Sequence, residues 1–498
     1  MDAGQLRRPA AAELVLLPAS GRAAAADRPT TSGRSSAYAR DSTAAARQAP
    51  AASGRAASGR AATAASAAIV ADAGTRLAAR VTALAAPLFL LACAVPDGGL
   101  FRAERYRDVH IYGIYADGFL RGDLPYRDVF VEYPPGAFAV FMPPAVLPAG
   151  AYNPAFKTLM ALCGIAALFA VVLTLVTLGA SKHRLYVAAG LFALSPIAVG
   201  PISLNTYDLF PAALTVGALA AVLRRRELLG FGLLGLAATA KLYPLVIVPL
   251  AAIYVWQVAG RSRTLRGLGV FAAVAVLVVL PFAILSPGGL WDSFHSQSAR
   301  GLQIESLGAS ILLAGDQLGL YAATVVHGAT GAATRDLAGS LPDALATITT
   351  LLQAAAVAAV WWLYARGSRG AERLVLASAA AVTAFLVFNR FVSPQYVVWL
   401  IPLVLLLPGA TGVAAIALVA AALVLAQIWF FHYSHLFQLE GISWLVVARD
   451  ALLLALYLLL VVRLKTSTPS SEKTSRQDGL RRSRESASAV ADGSQRSA

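Results

Sequence analysis

Long apolar runs alternate with short polar breaks along most of the chain. Runs of this kind, with few charges, read as membrane helices, at about 20 apolar residues per crossing. They fall at Leu77–Val95, Ala155–Ala180, Leu185–Val199, Tyr207–Leu223, Leu268–Leu285, Leu345–Tyr364, Leu374–Phe388, Val413–Phe430 and Ser443–Val462. Others are short or broken. Pro134–Leu147 is rich in proline, Leu228–Ala240 and Leu242–Val258 are two halves meeting at Lys241, and Tyr396–Leu407 is brief. Leu307–Val326 is weaker and is interrupted by Asp316. The pattern predicts an all-α, polytopic transmembrane protein of about 12 spans, with surface helices in its external loops.

Orientation follows from the loops. Lys and Arg gather on the cytoplasmic side of membrane proteins. The basic loops are Ser181–Arg184, Arg224–Arg226, Arg261–Arg266 and Arg366–Arg373, together with both ends of the chain. They share one side if Pro134–Leu147 dips into the outer leaflet without crossing and Leu307–Val326 lies on the outer surface. Both termini are then cytoplasmic. The loop after Val95 runs against the pattern, with Arg102, Arg105, Arg107, Arg121 and Arg127.

Composition agrees with a membrane protein. Hydrophobic residues make up 58% of the chain and charged residues 13%, against about 25% charged in soluble domains. The net charge of +15 is uneven. Met1–Arg80 holds eleven Arg against five acids, and Arg463–Ala498 eight basic residues against four acids. Residues 1–76 and 464–498 are too poor in apolar side chains to build a core and read as disordered tails, leaving 77–463 as the membrane domain. The first strong apolar run starts too far in for a signal peptide. Beside a membrane domain, basic tails point to anionic lipid headgroups and no nucleic acid. Cys93 and Cys163 sit inside apolar runs, so neither a disulfide framework nor a Cys-based metal site is expected.

This topology puts the polar residues outside. The densest cluster is the first external loop, Glu104–Tyr133, with six carboxylates and five tyrosines. Asp108, Tyr112 and Tyr115 recur at i, i+4 and i+7, one face of a helix. A carboxylate beside aromatic rings suits a sugar, whose hydroxyl can lose a proton while the rings stack on the pyranose. The plain alternative is a solvated helix capped by its acids. Glu132 stands at the Glu132-Tyr-Pro-Pro-Gly136 turn, where adjacent prolines forbid a regular helix.

Charge inside a membrane costs about 2.5–3.5 kcal/mol per residue on insertion scales. Asp208 follows Asn205-Thr206 at a helix start, where it either caps the helix or faces a site. Lys241, with Tyr243-Pro244 beside it, is a point charge for a phosphate or a snorkelling lysine. Arg390 sits at the outer boundary in Phe388-Asn-Arg-Phe-Val-Ser-Pro-Gln-Tyr396, suited to phosphate or to anchoring. Arg300, Gln303 and Glu305 fall in His295–Ser306, and His432 and His435 in a last polar loop. The two histidines lack a third ligand by spacing, so no metal is expected. No Walker loop, Rossmann fingerprint or nucleophile elbow is present. An external site then needs a donor already in the membrane, and no cofactor is expected.

Three stretches together carry a resemblance. Asp108-Val-His-Ile-Tyr112, Gly122-Asp-Leu-Pro-Tyr126 and Glu132-Tyr-Pro-Pro-Gly136 resemble the first external loop of polyprenol-phosphate-mannose-dependent mannosyltransferases, glycosyltransferase family 87, of the C-type glycosyltransferase kind. Lys241-Leu-Tyr-Pro244, Arg300-Gly-Leu-Gln-Ile-Glu-Ser306 and Ser393-Pro-Gln-Tyr396, followed by Trp399 and Pro402, fall in similar order. The likeness spans roughly Leu77–Val462.

The resemblance implies inverting transfer of a hexose, mannose, from a polyprenyl-phosphate donor to a glycolipid or glycan acceptor at the outer face of the plasma membrane. It implies Asp108 as general base. Lys241, Arg300 and Arg390 are candidates for the donor phosphate. Tyr112, Tyr115, Glu132, Asp208 and His432 are candidates for sugar or acceptor binding, with no metal. A secondary transporter or a lipid-glycan flippase is the alternative.

Overall fold

The computed structural model describes residues 51–96, 108–148, 150–328 and 334–466, with side chains from residue 72 onward except at Ser298. Most of the predicted tails, and the part of the first loop holding Glu104 and Tyr106, lie outside these residues. The chain is built from helices α1 (Ala51–Val95), α2 (Asp108–Leu120), α3 (Phe138–Ala145), α4 (Tyr152–Thr177), α5 (Lys182–Val199), α6 (Ile202–Asn205), α7 (Leu209–Leu223), α8 (Glu227–Ala240) and α9 (Val248–Ala259). They continue with α10 (Arg261–Leu285), α11 (Pro287–Ser298), α12 (Leu307–Gln317), α13 (Ser340–Ala365), α14 (Ala371–Val387), α15 (Ile401–Val404), α16 (Gly409–Phe431), α17 (Tyr433–Phe437) and α18 (Ser443–Thr466).

Among the described residues, six helices are long and apolar enough to cross a membrane. They are Asp72–Val95 of α1, then α4, α10, α13, α16 and α18. Four shorter apolar segments stand beside them: α7, α8, Tyr243–Ala259 and Pro394–Val404. The expected boundary at Leu77 falls inside α1, whose backbone is already helical at Ala51.

The breaks predicted from proline are present. α8 stops at Ala240, and Lys241 is extended at φ −156, ψ 145. The chain restarts as a 3-10 turn over Tyr243–Ile247 before α9. Pro244 lacks an amide hydrogen, so an unbroken helix is unavailable there. Pro394–Leu400 is likewise a 3-10 turn, leading into the four-residue α15. Pro134–Leu147 folds as a 3-10 turn and the short α3. An eight-residue helix rises about 12 Å against a hydrocarbon core near 30 Å, too little to cross alone.

One feature was not expected from the sequence. Three very short strands, β1 (Leu302–Gln303), β2 (Val325–His327) and β3 (Arg335–Leu337), form an antiparallel sheet in the order β1-β3-β2. Strands of two or three residues carry too little period-2 pattern to be read.

The main apolar core runs through α1, α4, α5, α7, α8 and α14 and includes Tyr112, Phe141, Tyr207, Tyr243 and Trp399. A second cluster, around Leu302, Ile304, Leu313, Trp429, Leu436 and Val446, joins the loop after α11 to α16 and α18.

Candidate functional site

Asp108 begins α2 and is half-buried. Its carboxyl accepts a hydrogen bond from Tyr112, the i, i+4 pair expected of a helix. Burial chiefly, and then the charge of Asp208, push it up to about 6, with the Lys241 ammonium pulling the other way. A carboxylate so placed is ionised at neutral pH and near enough to its midpoint to exchange a proton.

Asp208 lies at the N-terminus of α7 and is 1% exposed. It makes no side-chain cap hydrogen bond, so helix capping does not explain it. Instead Oδ1 accepts from Lys241 Nζ at 2.5 Å and from Trp399 Nε1 at 2.6 Å. The other oxygen, Oδ2, is buried with no protein partner.

Lys241 neither snorkels nor stands alone. The extended break after α8 sends its ammonium over the rings of Tyr207, Tyr396 and Trp399, at 4.5, 5.0 and 5.1 Å from their centroids. Trp399 is stacked between Tyr243 at 4.3 Å and Tyr396 at 4.4 Å. One 3-10 turn presents both Tyr396 and Trp399, because residues three apart eclipse at three residues per turn. The rings and Asp208 together make up the desolvation of the lysine.

A second ion pair joins the Glu132 turn to the stretch after α11. Arg300 Nη2 is 3.4 Å from Glu132 Oε2, and its guanidinium stands over Phe391 at 4.8 Å. Arg300 Nε is buried without a partner. Burial raises Glu132 while Arg300 lowers it, with burial ahead. The Glu132 segment is tied to α11, since Ser293 donates to the Val131 carbonyl at 2.6 Å and Gln297 to that of Glu132 at 3.3 Å. Arg390 is held by the backbone and a hydroxyl: Nε donates to Thr350 at 3.0 Å and Nη1 to the Arg300 carbonyl at 3.1 Å. It braces Arg300.

The turn Glu132-Tyr-Pro-Pro-Gly136 connects the two groups. A Cβ on Gly136 would lie 2.5 Å from Thr239 Oγ1 and 2.6 Å from the Ala240 amide nitrogen. Only glycine lets this turn sit directly on the end of α8, beside Lys241.

Other expected site residues fall differently. Tyr112 is 1% exposed, stacked on Phe141 at 4.3 Å and edge-on to Tyr133 and Tyr207. Its ring is part of the core and has no free face for a sugar, while its hydroxyl serves Asp108. Tyr115 is half-buried against Tyr133, 6.2 Å between centroids. His432 is exposed at the end of α16, its Nδ1 2.9 Å from the Ile428 carbonyl and its ring beside His435. Its described contacts are local and tie it to neither acid. Among the described residues no group of three or more His, Cys, Asp and Glu is placed to hold a metal ion. Trp399, Tyr207 and Tyr396 were missed as site residues. The i, i+3 spacing of Tyr396 and Trp399 behind Pro394 was the available signal.

A helical membrane protein that gathers carboxylates, cations and rings at the broken ends of its helices has the parts of a membrane-embedded transferase. The family is shown directly: glycosyltransferase family 87 matches residues 130–388, over half of the chain, and the chain belongs to that family. It is a glycosyltransferase. Glu132, Asp208, Lys241 and Arg300 fall within the matched residues; Asp108, Arg390, Trp399 and His432 fall outside them. No curated protein matches the chain.

Proposed function

We propose that this glycosyltransferase moves a hexose, mannose, from a polyprenyl-phosphate donor to a hydroxyl of a glycolipid or glycan acceptor, on the external face of the plasma membrane. The observation that carries the reading is the buried Asp208–Lys241 pair at a helix break, 2.5 Å apart, whose charges both act on the Asp108 carboxyl. In this reading the protein crosses the membrane about 12 times, some crossings being made by paired short helices, and both termini are cytoplasmic.

The reaction is an inverting displacement. Asp108 accepts the proton of the acceptor hydroxyl as its oxygen attacks the anomeric carbon. The bond from that carbon to the phosphate oxygen breaks, and the polyprenyl phosphate leaves with the electron pair. Asp208 Oδ2, which has no protein partner, takes a substrate hydroxyl. Lys241 lends its charge to the leaving phosphate from within the ring cage, and Arg300, with an unpaired Nε, meets the phosphate directly. Arg390 supports Arg300 from behind. Glu132 and Tyr115 border the acceptor side.

Membranes carrying the protein, supplied with polyprenyl-phosphate-mannose, test the reading. Asp108→Asn and Asp108→Ala are expected to abolish mannose transfer while the protein still inserts. Full transfer by both variants sinks the assignment of the base. Substrate flux in vesicles without donor lipid would make the protein a transporter.

A further inference from the structure

The Arg300–Ser306 stretch is anchored far more heavily than a loop that merely delivers Arg300 requires. The amides of Gln303 and Ile304 donate to the carbonyls of Arg390 and Arg335, each at 3.0 Å. Glu305 is 2% exposed beside the second apolar cluster. Its Oε1 accepts from the Tyr433 hydroxyl, and its backbone carbonyl accepts from Arg449 Nη2. Arg449 is fully buried and pairs with Asp450, 2.7 Å away. Asp450 in turn accepts from Ser310 at 2.5 Å. Buried charge of this kind is costly, and its best-attested use is to fix register.

The anchor draws on several separate parts of the chain. Tyr433 belongs to α17, Arg449 and Asp450 to α18, and Ser310 to α12. All converge on the segment that also carries Arg300. We propose that Glu305 is a positioning residue for the transfer reaction: with Tyr433 and Arg449 it clamps the Arg300–Ser306 stretch so that Arg300 stays against Glu132, in reach of the donor phosphate. The proposal rests on the reading of Arg300 as a phosphate contact.

The carboxyl need not be charged to do this. Burial pushes Glu305 up to about 7, with Tyr433 and Arg449 opposing and Asp450 adding. The tyrosine hydroxyl can donate to the acid in either state. A neutral amide of the same shape therefore keeps the Tyr433 bond and a methyl group loses it, while the Arg449 bond to the backbone carbonyl stays in both.

The test uses the full-length protein in lipid nanodiscs, with polyprenyl-phosphate-mannose as the probe. Two quantities are read: the dissociation constant for that lipid, and hydrogen exchange of the amides over 300–306. Glu305→Ala is expected to weaken donor binding about tenfold and to speed exchange over 300–306. Glu305→Gln is expected to restore most of both. Glu305→Ala that speeds exchange but leaves donor affinity within twofold overturns the positioning role. Weakened binding in which Gln is no better than Ala overturns the neutral clamp. Should the wild type bind no donor, the functional reading fails, and exchange alone decides: unchanged protection in Glu305→Ala refutes the clamp itself.

Discussion

Removing Lys241 from the Asp208–Lys241 pair should cost more than removing both partners. At 2.5 Å and an effective dielectric near 20, their attraction is about 7 kcal/mol. Much of this is offset by taking two ions out of water, since Asp208 is 1% and the Lys241 side chain 13% exposed. The net worth of the pair is therefore small, but a lone survivor is left buried and uncompensated, at about 3–5 kcal/mol. Asp208→Asn should fall at the low end. The asparagine oxygen can still accept from Trp399, and the three rings around Lys241 soften the loss by about 0.5–2 kcal/mol each. Lys241→Met should fall at the high end, because Asp208 then keeps Trp399 Nε1 as its only hydrogen-bond donor. The double variant should be less destabilised than Lys241→Met alone, which requires a coupling above the cost of Asp208→Asn, about 3 kcal/mol or more. Unfolding of the detergent-solubilised protein, followed by denaturant titration of all four forms, measures the cycle. Single variants that each cost under about 1 kcal/mol, with additive effects in the double, would refute the argument.

Three further outcomes follow from the structure. Asp108 is raised to about 6 by burial and by Asp208, so transfer should fall as pH drops through 6; Asp208→Asn should move that limb lower and Lys241→Met higher in whatever activity remains. The raised acids Asp108 and Glu305 bind protons more tightly folded than unfolded. The stability they contribute is complete below about pH 4 and is lost as pH rises through 6 and 7, which thermal midpoints across that range will show. Gly136→Ala should destabilise the protein by about 1–3 kcal/mol and slow transfer, because its new methyl meets backbone at Ala240; a variant with wild-type melting and rate would mean that the turn can move away.

The helical membrane architecture was legible because apolar runs need no partner to be recognised. Individual helix breaks were legible too, where proline removed a donor, as at Lys241-Leu-Tyr-Pro244. Span counting was less direct. Segments such as α8 and Pro394–Val404 are too short to cross alone, and sequence does not say which halves are combined. The i, i+4 relation of Asp108 and Tyr112 was local and visible. Whether the Tyr112 ring faced solvent or core was not, because that depends on Phe141, Phe156 and Tyr207 arriving from other elements. Asp208 shows the limit most clearly. Its position invited a helix cap, but its partners lie 33 and 191 residues away, beyond any spacing rule. His432 stood out in sequence because polar residues are scarce in this chain, and its described contacts are with Ile428 and His435.

That separation of 191 residues between Asp208 and Trp399 also sets an order of assembly. At ribosomal speeds of about 5–20 residues per second, Trp399 is synthesised about 10–40 s after Asp208. Over that interval the acid has only Lys241 to answer its charge, and the lysine lacks two of its three rings. The helices up to Lys241 must therefore enter the bilayer with an unfinished polar knot, and the site closes only as the turn at Pro394 folds back onto it. A chain truncated before that turn would keep both charges and lose the tryptophan that joins them to the rest of the core.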